Sequence, residues 1–217
     1  MFKKNYRNTY EILRAAYGLI EDFEFSDVDE DHRQRPLTPD FAVRRGDRPK
    51  MVKCRNMMDE IAFVCSVIEH EIELSGGENI SDICVISRLP PIRQAVTKAL
   101  NAKQIRCVDI KDNVGLDIHG VRISTVESSK GFEFQTVILA GVSEIVGPSH
   151  NEIELDPSSD AAKLYVAMTR ARESLFISYT SNAERKPADA LSSIQPFCEE
   201  VEFIAGTLKP IRSDVAS

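Results

Sequence analysis

No apolar run in the 217 residues approaches the ~18 that a bilayer-crossing helix requires, and the lysine-containing N-terminus leads into no apolar signal core. Neither membrane insertion nor secretion is indicated, and a cytoplasmic location is expected. Paired cysteines are lacking too: Cys54, Cys65, Cys84, Cys107 and Cys198 are odd in number and include no C-x-x-C. Most lie in apolar runs, where cysteine serves as a small buried hydrophobe. The four histidines show no ligand spacing, so no metal site is expected. A positive net charge is absent as well, the formal value being −7. No internal repeat or low-complexity tract occurs.

What remains is enough for one α/β core, since 42% of the residues are hydrophobic and 28% charged. Asn8 with Glu11 suggests a helix cap, followed by a stripe of Ile12, Ala16, Leu19, Ile20 and Phe23. Residues 51–55 read as a strand, and Asn56 with Asp59 opens a helix striped by Ile61, Val64, Cys65, Ile68 and Ile72. Gly76-Gly77 closes it. Strands are expected at 83–87, 105–110, 123–126, 136–142 and 175–179, with a helix from Pro91 and a short one at 188–194. This alternation predicts an α/β fold with a mostly parallel sheet. Residues 1–206 form one domain in this reading, with an irregular charged segment at 24–50, a mobile loop at 143–157 and a frayed tail at 207–217.

The acids cluster in 21–31 and the bases follow at Arg33, Arg35, Arg44, Arg45, Arg48, Lys50 and Lys53. Such blocks read first as a solvated loop; a phosphate-binding cluster is the sharper alternative. The Ser128 to Gly131 turn joins two strand-like runs. Small residues there are expected to leave backbone N–H groups free at a sheet edge where ligands bind. Further on, Leu164, Tyr165, Met168 and Ala171 make one apolar stripe, with Arg170 nearly opposite. Arg170 is then either solvated or functional.

Residues 124–134, Ser-Thr-Val-Glu-Ser-Ser-Lys-Gly-Phe-Glu-Phe, resemble the T-x-H-x-x-K-G-x-E-F segment of UvrD/Rep-type superfamily 1 helicases. Residues 165–172, Tyr-Val-Ala-Met-Thr-Arg-Ala-Arg, resemble the Y-V-A-x-T-R-A-R helix of that family, and residues 5–9, Asn-Tyr-Arg-Asn-Thr, its N-Y-R-S-T segment. The three come in family order and belong to the second, C-terminal RecA-like domain. The resemblance implies a RecA-like sheet of the P-loop NTPase type, with helices on both faces but without the phosphate loop itself.

It also implies roles. ATP would lie between two RecA-like domains, the partner N-terminal domain holding the phosphates and Mg. Arg7 and Arg170 would reach the γ-phosphate as arginine fingers. Tyr6 would stack on the adenine, Glu133 would accept a hydrogen bond from the ribose, and Gly131 belongs to the same nucleotide-facing segment. Thr125, Ser128 and Lys130 would face single-stranded DNA.

Three departures qualify this. No G-x-x-x-x-G-K-[ST] is present, so the chain alone is expected to be inactive and to be a C-terminal piece of a longer protein. Glu127 stands where the family has histidine, and a carboxylate there repels phosphate. Residues 8–124 are too few for the large accessory insertion of UvrD/Rep enzymes. Two other readings stay open: a non-catalytic interaction module of the same fold, and a nucleotide-binding enzyme complete in one chain.

Overall fold

The computed structural model describes residues 5–21, 42–111, 118–142, 157–180 and 189–211. Short apolar runs rich in β-branched residues become strands: β1 (Asn5–Thr9), β2 (Ala42–Arg44), β3 (Lys50–Cys54), β4 (Ile83–Ile86), β5 (Cys107–Asp109), β6 (Val121–Ser124), β7 (Phe134–Leu139), β8 (Ala171–Thr180), β9 (Glu199–Ile204) and β10 (Thr207–Pro210). The helices are α1 (Tyr10–Tyr17), α2 (Met57–Leu74), α3 (Pro90–Ala102), α4 (Pro157–Met168) and α5 (Asp189–Ile194).

Eight strands form one sheet in the order β10-β9-β3-β8-β7-β4-β6-β5, parallel except for β10, and β1 pairs with β2 in a separate parallel ribbon. The central strands are buried on both faces. Along β7, Val137 and Leu139 face one apolar cluster with Ile12, Leu164, Met168 and Leu191, while Ile138 and the following Ala140 face another with Phe63, Ile68, Val96 and Leu100. Helices α1, α4 and α5 therefore cover one side and α2 and α3 the other, the arrangement a parallel sheet requires. Phe63 anchors the second side with edge-on contacts to Phe176 and Phe203.

The cysteines behave as core hydrophobes. All five are free; burial pushes the Cys54 and Cys198 thiols up to about 12 and Cys107 to about 11, which keeps them protonated and unreactive. No helix among the described residues is long and apolar enough to cross a membrane.

Several local expectations need correcting. Thr9, not Asn8, caps α1, its hydroxyl accepting from the Ile12 N–H, while Glu11 accepts from the Gly46 N–H at 2.8 Å. Part of the charged segment at 24–50 is ordered as β2, because it pairs with β1 and its arginines find partners inside the molecule. Arg44 pairs with Glu173, Arg45 lies 3.9 Å over the Tyr10 ring, and Arg48 donates to the Phe197 and Pro196 carbonyls. These three strap the segment down rather than gather round a phosphate; Arg33 and Arg35 lie outside the described residues. Thr207–Pro210 do not fray but pair antiparallel with β9 as β10, and 212–217 lie outside. Pro157 already belongs to α4, so of the expected loop at 143–157 the rest lies outside the described residues.

Candidate functional site

Three segments distant in sequence converge at the amino ends of β7 and β8. Glu133 immediately precedes β7, and Arg170 immediately precedes β8. The two backbones are locked together there, the Phe134 N–H donating to the Arg170 carbonyl at 2.9 Å. Strand β1 lies beside β8 and brings Arg7, whose Nε sits 2.8 Å from Glu133 Oε1; the Arg7 side chain is 68% exposed and that of Glu133 27%. An ion pair this open contributes little to stability. Its effect is to orient one guanidinium.

Arg170 is held differently. Helix α4 ends at Met168, so Arg170 lies in the turn that follows rather than on a helical face. The buried α4 positions are Ala161, Leu164, Ala167 and Met168, with Tyr165 only half-buried and Ala171 already in β8. The expected orientation away from the core is thus replaced by a half-buried anchorage. Nε donates to the Val166 carbonyl at 3.0 Å, Nη1 to the Phe132 carbonyl at 3.2 Å, and Nη2 to Thr169 Oγ1 at 3.4 Å. A guanidinium has five N–H groups, and these contacts engage three. Burial lowers the Arg170 pKa from its ordinary value, opposed by the Glu133 carboxylate and reinforced by the Arg7 charge. The Arg7 and Glu133 charges are thus both near enough to act on the Arg170 guanidinium.

Gly131 lies on the approach to this cluster. It is exposed, its φ of +87° favours glycine, and a Cβ there would meet nothing within 4 Å. Tyr6 is placed in β1 by its backbone, and its side chain lies outside the described part of the structure.

The other expected residues are elsewhere. Thr125 follows the carboxyl end of β6, at the opposite edge of the sheet, and residues 125–133 cross one face to reach β7. Their turn is closed on itself: Thr125 Oγ1 accepts from the Ser128 N–H and donates to Ser128 Oγ, and the Ser129, Lys130 and Phe132 N–H groups bond to Thr125, Glu127 and Ser129 carbonyls. Of the N–H groups expected to be free in residues 128–131, those of Ser128, Ser129 and Lys130 are therefore spent within the turn. Ser129 is fully buried and donates to the Val126 carbonyl, whereas Glu127 and Lys130 are exposed. One participant escaped the sequence reading. Asn8, taken for a cap, sends its amide across to the turn bearing Arg170, donating to the Thr169 and Ala171 carbonyls.

Among the described residues, no group of three or more His, Cys, Asp or Glu side chains is placed to hold a metal ion.

Over 60 residues the chain is 42% identical to the ATP-dependent DNA helicase Rep of Buchnera aphidicola subsp. Schizaphis graminum, a match covering 27% of this chain and 9% of that one. A second Rep, from Buchnera aphidicola subsp. Acyrthosiphon pisum, is 37% identical over 60 residues, again 27% of this chain and 9% of the relative. The chain spans about a tenth of the length of the curated relatives it matches. Among solved structures, the C-terminal domain of a possible DNA helicase from Lactobacillus plantarum WCFS1 superposes with a TM-score of 0.60 at 16% identity, over 90% of this chain and 98% of that one. That likeness shows the fold, a RecA-like sheet of the helicase C-terminal type. The model of the UvrD-like helicase C-terminal domain matches residues 1–114 and 108–182, which hold every strand of the main sheet but β9 and β10, and the chain belongs to that family.

Proposed function

We propose that this chain is the C-terminal motor domain of an ATP-dependent superfamily 1 DNA helicase or translocase, contributing Arg7 and Arg170 to ATP held by a partner RecA-like domain. One observation carries the reading: two arginines distant in sequence come to the same edge of the sheet, Arg7 held through its Nε by Glu133 and Arg170 through its Nε by the Val166 carbonyl, with three of the five Arg170 N–H groups engaged. Planar, permanently charged forks held in advance stabilise charge developing on a transferred phosphoryl group without reorganising. Membership of the helicase family and the names of the relatives support the assignment.

Within it, Tyr6 stacks on the adenine, and Gly131 and Glu133 border the ribose. Thr125, Ser128 and Lys130 form part of the single-strand track at the other edge. In this reading the ligands of Mg belong to the partner domain, where Mg would neutralise phosphate charge. The chain alone accordingly turns over no ATP, and a rate above about 0.1 per second would refute the reading.

The decisive experiment measures kcat and KM for ATP in the assembled ATPase, this chain together with its phosphate-loop domain. Arg7→Ala and Arg170→Ala should each lower kcat about 10³-fold with smaller changes in KM. Lysine should not restore it, because a point ammonium cannot replace the fork. Wild-type kcat in both variants would leave these residues as structural and favour a non-catalytic module of the same fold.

A further inference from the structure

We propose that Asn8 is the positioning residue that fixes the two arginines relative to each other, an inference that rests on reading Arg7 and Arg170 as phosphate-facing. Asn8 is 3% exposed, and its amide nitrogen donates 2.9 Å to the Thr169 carbonyl and 2.6 Å to the Ala171 carbonyl. Those carbonyls flank Arg170 on either side. Arg7 is the residue next to Asn8 in β1, and successive strand residues point to opposite faces, so an inward Asn8 leaves Arg7 directed outward. One planar amide therefore joins the backbone that carries one guanidinium to the backbone that carries the other.

Among the described residues, strand β1 shares a ladder only with β2 and none with β8, so the β1 main chain is not registered against the Arg170 turn by strand pairing. Side chains orient each arginine individually: Glu133 grips Arg7, and the Val166 and Phe132 carbonyls grip Arg170. Orientation is useless if the two segments slide. A carboxamide has two N–H groups at a fixed angle, a hydroxyl one and a carboxylate none. The N-Y-R-S-T segment has serine at this place, so the double tether comes from this chain's own residue.

The test uses the assembled ATPase with Asn8→Ala, Asn8→Ser and Asn8→Asp, beside Arg7→Ala, Arg170→Ala and the double variant Asn8→Ala/Arg170→Ala. For each, kcat, KM for ATP and thermal unfolding are measured. Displacement of a catalytic group by about 1 Å costs on the order of 10²-fold, so Asn8→Ala should lose roughly that factor in kcat with KM little changed. Asn8→Asp should be at least as slow, and serine, with one donor, should fall between alanine and wild type. The double variant should lose less than the product of the single losses, because misplacement matters less once one fork is gone. If the alanine variant does not fold, the serine variant carries the same comparison. Asn8 variants that melt earlier but keep wild-type kcat, or that multiply with Arg170→Ala, would overturn the positioning role while leaving the phosphate reading intact. Normal kcat in Arg7→Ala and Arg170→Ala would remove that reading and this proposal with it.

Discussion

The two edges of the sheet carry the family's sequence segments in contrasting ways. At the carboxyl edge, the turn that begins at Thr125 is closed by bonds between residues three or four apart, and Glu127 and Lys130 stand exposed upon it. At the amino edge, the contacts that join the segments are long-range: Arg7 to Glu133, Arg170 to Phe132, Asn8 to Thr169 and Ala171. A local turn keeps its shape whatever the rest of the chain does. A composite edge exists only when the sheet is formed, so it suits a site that must hold charges of one sign together at fixed separation.

This contrast has a largest and most direct consequence in stability. Arg170→Ala should destabilise the chain by about 1–3 kcal/mol, because a half-buried charged donor is removed from the Phe132 carbonyl, while the Val166 carbonyl keeps only the Thr169 hydroxyl. Arg7→Ala should stay within about 0.5 kcal/mol, since its ion pair with Glu133 is open to solvent. Denaturant midpoints of the two variants decide it, and equal losses would erase the distinction between an anchored and a presented arginine.

Legibility in the sequence followed the same division. The strands around Ile83, Val137 and Leu175, the Asn56 cap and the helix expected from Pro91, found from Pro90, could be read because apolar periodicity and capping chemistry are local. The family segments singled out Arg7, Glu133 and Arg170, which the fold brings to one edge. Asn8 could not be read this way: asparagine before a helix reads as a cap, and only the tertiary placement of α4 offers it two carbonyls instead. Strands β2, β9 and β10 escaped because Ala42–Arg44, Glu199–Ile204 and Thr207–Pro210 carry too much charge to resemble buried strands. They lie at the margins, where one face meets water and pairing alone selects the structure.

A buried acid at the carboxyl edge gives the next test. Glu60 is 1% exposed; its Oε1 accepts from Ser178 Oγ at 2.6 Å and from the Gly141 N–H at 2.8 Å. Burial raises its pKa, and the two hydrogen bonds only partly oppose that. A carboxyl whose folded pKa is raised contributes stability below its unfolded value, and that contribution is lost as pH rises through the folded pKa. Glutamine resembles the protonated acid and keeps an acceptor for both donors. The wild type should therefore lose stability relative to Glu60→Gln as pH climbs from about 4 toward neutrality. A constant difference across that range would mean the burial penalty is fully offset.

Within the turn itself, Thr125→Ala should cost about 1 kcal/mol, from the Ser128 N–H left without its side-chain acceptor. The loss should be confined to the carboxyl edge. Hydrogen exchange should quicken at Ser128 and Ser129 and stay unchanged at Phe134, whose N–H is locked to Arg170.

The smallest effect is expected at Glu127, where the turn allows a charge to be changed without disturbing a shape. Its backbone carbonyl accepts from the Lys130 N–H, but its side chain is exposed, so the substitution Glu127→His leaves the internal bonds in place. If the carboxyl edge carries single-stranded DNA, removal of one repulsive charge should tighten binding a few-fold, the scale of one exposed charge interaction of about 0.2–1 kcal/mol. The salt dependence should steepen by less than one released ion, since histidine is mostly neutral at pH 7 and only a repulsion is lost. Titrating the assembled protein with fluorescent oligonucleotide at several salt concentrations measures both. Unchanged affinity at every salt concentration would show that the strand does not pass Glu127. The exposed face of this turn would then have to be assigned to the partner domain instead of to nucleic acid.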